Sequence, residues 1–75
     1  MSKPFQQQIG AQIRAARLAK GMSLSQAAEH MPGLDKSRLW HIERGHGNTT
    51  VETLVKIAAG LGCELIIEIV EVEES

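Results

Sequence analysis

Apolar residues recur along the first part of the chain at the spacing of a helix with one buried face: Phe5, Ile9, Ile13 and Ala16, at intervals of four, four and three. Lys20-Gly21 closes this segment, with a cation in the last turn and a glycine free to take the left-handed cap. SLSQ at 23–26 sets glutamine three residues after serine, the spacing of a capping box. It opens a short second helix through Ala27, Ala28 and Met31, which MPGL at 31–34 breaks, because proline and glycine both oppose continuation. Asp35 suits the N-cap of a third helix, KSRLWHIER, ended by Gly45. After the loop HGNT, Thr49 and Glu52 have the spacing of another capping box. Val51, Leu54, Val55, Ile57, Ala58 and Leu61 make the apolar face of a fourth helix that closes at Gly62.

The pattern then changes. CELIIEIVEVEE, 63–74, is rich in β-branched residues and reads as a strand. One face carries Cys63, Leu65, Ile67 and Ile69 and wants a core; the other, with Glu64, Ile66, Glu68, Val70 and Val72, is half apolar. No other segment reads as a strand, and buried backbone groups must pair. The economical partner is the same strand of a second copy, antiparallel about a two-fold axis, with Leu65, Ile66, Ile67, Ile69 and Val70 as the dimerisation residues. The expected fold is mainly α: a four-helix domain at 1–62, and a C-terminal strand with an acidic tail at 63–75. The close pair of second and third helices, with small Ala27 and Ala28 between them, is where function is expected.

Composition narrows the classes. A chain of 75 residues buries little apolar surface alone, which favours oligomerisation. Cys63 is the single cysteine, which excludes an internal disulfide and is most simply a small core residue. No apolar run approaches the roughly 20 residues of a spanning helix, and MSKPFQQQIG lacks an apolar h-region, so a soluble cytoplasmic protein away from membranes is expected. The net charge of −1 divides into +4 over residues 1–62 and −5 over residues 63–75. A basic body with an acidic tail suits a polyanion partner for the body. His30, His41, His46 and Cys63 match no metal-ligand spacing, and four small helices leave little room for a catalytic cleft. No catalytic residue, metal or cofactor is expected.

IxxxIRxxRLxKGMS, SQAAEHM, LWHIERG and TVETLVKIAAGLG, spread over residues 9–62, together resemble the helix-turn-helix family of the lambda repressor and Cro type, the Xre family. Arg17, Ala28, Leu39, Ile42, Glu43 and Gly45 carry the likeness with the LxKIAxxLG closure. Gly33 stands five residues after Ala28 where the family's turn glycine stands four, so the turn holds one extra residue. Leu24 stands where relatives often carry a phosphate-binding glutamine, leaving that contact absent or passed to Ser25 or Gln26.

The resemblance implies a double-stranded DNA partner, with the third helix in the major groove. Lys36, Ser37, Trp40 and His41 then take base-reading positions, with Trp40 exposed rather than in the core. Ser25, Gln26, Arg38, Arg44 and Asn48 are the phosphate candidates. Arg17 and Glu43 resemble the family's structural ion pair. The function implied is a homodimeric, sequence-specific repressor on a palindromic operator. A terminal strand after a helix-turn-helix also resembles the HipB-type antitoxins, which neutralise a partner toxin kinase and repress their own operon.

Overall fold

The computed structural model describes residues 3–73. Four helices, α1 (Lys3–Ala19), α2 (Leu24–Glu29), α3 (Lys36–Glu43) and α4 (Val51–Gly60), enclose one core. Ile13, Ala27, Met31, Leu39, Ile42, Leu54, Ile57 and Leu61 fill it, with Ile9, Ala16, Met22, Leu24, Leu34 and Leu65 packed around them. Ala27 is fully buried, and its small side chain lets α2 and α3 approach closely.

α1 carries two inward stripes, and only one is apolar. Ile9, Ile13 and Ala16 form the stripe read from hydropathy, although Phe5 at its start stays 40% exposed. The second stripe is Gln6, Gly10, Ile13 and Arg17, at helical intervals of four, three and four, and it faces the end of α3. A Cβ on Gly10 would collide with the carbonyl oxygens of Ile42 and Glu43, so glycine is required for this approach.

Local chemistry fixes the helix ends. Ser23 Oγ accepts from Gln26 N at 3.1 Å, while Gln26 Oε1 accepts from Ser23 N at 2.8 Å, the reciprocal capping box of α2. Asp35 Oδ1 accepts from Arg38 N at 2.8 Å and caps α3. Residues 30–35 separate α2 from α3, with Gly33 at φ +81° in the turn. At the end of α3, Gly45 at φ +74° donates to Ile42 O and His46 N donates to His41 O, the paired bonds of a Schellman motif.

Several expectations need correction. The N-cap of α4 is Thr50, whose Oγ1 accepts from Thr53 N at 3.1 Å, not Thr49. Thr49 turns inward instead, its Oγ1 buried, so it cannot cap; Glu52 stays in the first turn, where a carboxylate favours the helix dipole. Val51 and Val55 lie on the flank of α4 and are half exposed, leaving Leu54, Ile57 and Leu61 as its buried face. Cys63 is exposed rather than in the core, because it follows Gly62 in the cap of α4, with its N–H bonded to Ala58 O at 2.8 Å.

Beyond α4, none of the described residues lies in a strand. Of the face expected to seek a core, Leu65 packs against the helices, whereas Ile67 is exposed and Ile69 is 97% exposed. Ile66, Val70 and Val72 are exposed as well. The expected ladder was one between subunits, and within its own chain this segment makes none.

Candidate nucleic-acid interface

α3 turns Leu39, Ile42 and Glu43 inward and leaves Lys36, Ser37, Arg38, Trp40, His41 and Arg44 at the surface. At about 100° per residue, Ser37 and His41 lie opposite the buried stripe. Trp40 lies toward α1, sharing a concavity with Arg14, Leu18, Leu24 and Arg44. Arg38 lies on the other flank, beside Pro32, Gly33 and Leu34 of the turn and Thr53 and Lys56 of α4. Each flank of the outward arc thus carries an arginine.

Trp40 is 37% exposed, as the crowding of Leu39, Trp40 and Ile42 on one short helix requires. The Arg44 guanidinium sits 4.3 Å from its ring centroid, and the His41 ring meets it edge-on at 4.9 Å. Stacking occupies one face of Arg44 and leaves its N–H edge available.

The remaining candidates for phosphate contact sit on two neighbouring elements. Ser25 and Gln26 are exposed in the first turn of α2, and Gln26 spends its carbonyl oxygen on the capping box, leaving its NH2 as donor. Asn48 is exposed in the loop between α3 and α4. Its Oδ1 accepts from Gln6 Nε2 at 3.1 Å, and the same Gln6 nitrogen donates to Gly47 O at 2.6 Å.

Arg17 and Glu43 hold this surface in place. Arg17 Nε lies 2.7 Å from Glu43 Oε2 and Nη2 lies 3.0 Å from Oε1, a two-pronged bond between the end of α1 and the end of α3. Nη1 donates to Met22 O at 2.8 Å, fixing the α1–α2 turn as well. Both side chains are buried. The hydrogen bonds that Arg17 donates to Glu43, working against desolvation, raise the guanidinium pKa above its ordinary value. A raised cation contributes its stability in full below the unfolded value and loses it only as pH rises through the folded one, far above neutrality.

Sequence reasoning missed Gln6 and Gly10. Gly10 left a signal, because glycine inside a helix costs about 1 kcal/mol against alanine and calls for a reason. Gln6 is one of three consecutive glutamines, and only its spacing to Gly10 and Arg17 marks it out.

The sequence profile of the Helix-turn-helix family matches residues 13–67, more than half of the 75-residue chain. The chain belongs to that family. It is a DNA-binding helix-turn-helix transcription regulator of the Xre type. The match takes in α2, the turn and α3, the elements that carry the exposed arc. It starts beyond Gln6 and Gly10, so the α1 residues against the end of α3 and the α3–α4 loop lie partly outside it. No curated protein matches the sequence. Among the described residues, no helix is long and apolar enough to cross a membrane.

Proposed function

We propose that this helix-turn-helix regulator is a homodimeric, sequence-specific repressor that occupies a near-palindromic operator and acts by binding rather than by catalysis. The observation that carries the reading is the outward arc of α3, polar and flanked by arginines on a helix whose other side is locked into the body. In the major groove, Lys36 donates to guanine O6 and N7, Ser37 meets either kind of edge, and His41 reaches guanine or a phosphate. Trp40 presses on thymine methyls. Arg38 and Arg44 meet the phosphate strands on the two sides of the groove, with Ser25, Gln26 and Asn48 adding neutral donors.

Dimerisation belongs to the segment after α4. Ile66, Ile67, Ile69, Val70 and Val72 together expose more apolar surface than an isolated monomer keeps in contact with water without penalty. Pairing Leu65 to Val70 with the same residues of a second copy buries that surface and gives the backbone its ladder. Two copies then present α3 to half-sites roughly 34 Å apart.

A second reading rests on Leu18 and Trp40, both exposed in the same concavity beside Arg14 and Arg44. A protein partner seated there would make the chain an antitoxin of the HipB kind, with operator binding as feedback. Sedimentation velocity of the full chain tests the dimer. The repressor reading expects a dimer, and expects Ile69→Lys to give a monomer of unchanged helicity that loses about 100-fold in operator affinity. A wild-type monomer that binds operator would overturn the dimer. A second protein bound at fixed ratio, found by native mass spectrometry of the chain from its own host, would establish the antitoxin reading instead.

A further inference from the structure

Gln6 is buried near the start of α1, although its neighbours Gln7 and Gln8 are exposed. It reaches across to the loop between α3 and α4, where Nε2 lies 2.6 Å from Gly47 O and 3.1 Å from Asn48 Oδ1. The chemistry of these groups fixes their orientation. A main-chain carbonyl only accepts, so the end of the Gln6 amide that faces Gly47 is its NH2. That NH2 has two hydrogens and nothing to accept with, so the Asn48 atom beside it is the carbonyl oxygen. Asn48 is an exposed residue, and with its oxygen engaged by Gln6 its NH2 is the end left to donate elsewhere.

We infer that Gln6 is a positioning residue for DNA binding: it holds Asn48 so that the α3–α4 loop offers a phosphate oxygen a donor and never an acceptor. The role rests on the reading of Asn48 as a phosphate contact. The need for it is local. Gly45 at φ +74° and Gly47 at φ +73° both precede Asn48 in this loop, and glycines leave the unbound backbone many conformations. An untethered Asn48 amide would also present its oxygen to the phosphate in part of its rotamers, where like partial charges repel. Gln6 removes both sets of unproductive states before DNA arrives, so less order is lost on binding. Its reach of 41 and 42 residues along the chain ties the loop to the start of α1.

The test measures binding of the full chain to two fluorescent duplexes, one carrying the site selected by the wild type and one scrambled. Gln6→Met and Asn48→Ala are each expected to weaken both duplexes by roughly tenfold. The double variant should be no weaker than either single one, and the slope of affinity against salt should not change, because a neutral amide releases no counterion. A double variant weakened by the product of the two losses, or a Gln6→Met chain that binds normally, overturns the inference. Asn48→Asp keeps an acceptor for Gln6 and should melt with the wild type, yet bind more weakly than Asn48→Ala; wild-type affinity there also overturns it. Hydrogen exchange of side-chain amides gives a readout without DNA: slow for the Gln6 NH2 and fast for that of Asn48. The reverse order refutes the orientation itself, whereas a wild type that binds neither duplex, with exchange as expected, refutes the DNA reading and the role with it.

Discussion

α3 and the segment 63–73 both mix large apolar side chains with charges, and they end in opposite surroundings. In α3, Leu39, Ile42 and Glu43 find partners inside the chain, and what remains outside is polar apart from Trp40. In the C-terminal segment, Leu65 alone of the large apolar residues packs on the helices, and five others face water. The difference lies in what each element requires. A helix satisfies its own backbone and needs one face covered, which three neighbouring helices supply. A strand needs a ladder along its edge, and a four-helix body has none to give. The first is completed by folding; the second, on the proposed reading, is completed by association.

That contrast can be broken most severely at the end of α3. Arg17→Met should destabilise the chain by about 3–5 kcal/mol, since it strands Glu43 as a buried charge. Urea denaturation would show this against a total of roughly 4–11 kcal/mol for a domain of this size. A loss under 1 kcal/mol would mean that the pair is not what holds α3. By contrast, Ile69→Lys should leave the helical content and the monomer's own melting intact, because Ile69 touches little within its chain.

Gly10→Ala sharpens the comparison at the contact between α1 and α3. On an exposed helix this change gains up to about 1 kcal/mol. Here the added methyl meets the Ile42 and Glu43 carbonyls, so a net loss of about 1–3 kcal/mol in thermal or urea unfolding is expected. A stabilised variant would show that α1 can withdraw without cost.

The smallest pair of effects distinguishes the two threonines before α4. Thr50→Ala should cost about 1 kcal/mol as a lost cap. Thr49→Val should be neutral or slightly stabilising, because it removes a buried hydroxyl that has no hydrogen-bond partner among the described residues. Calorimetry on both would settle which threonine starts the helix.

Most of the body was legible from the chain. The spacing of Leu39 and Ile42, the Ser23–Gln26 box and the glycines after α1, α3 and α4 define helices on their own, and the outward arc of α3 followed from them. The α1 stripe of Gln6, Gly10 and Arg17 was not legible as a whole, because hydropathy registers only apolar faces and this one works through carbonyls, an amide and a charge. The start of α4 was misread for a related reason. Two adjacent threonines both fit a capping rule, and the choice is made by which one the core admits. For 63–73 the alternation was plain, but a single chain holds no partner edge to realise it.

Selection from random duplex DNA, run in parallel on the wild type and Lys36→Ala, tests most directly whether α3 reads sequence. The wild type should enrich a near-palindrome, and Lys36→Ala should lose preference at one position per half-site while keeping the others, a discrimination of about 1–3 kcal/mol. An unchanged motif from Lys36→Ala, or no motif from a folded wild type, would contradict the reading of α3 as the recognition helix.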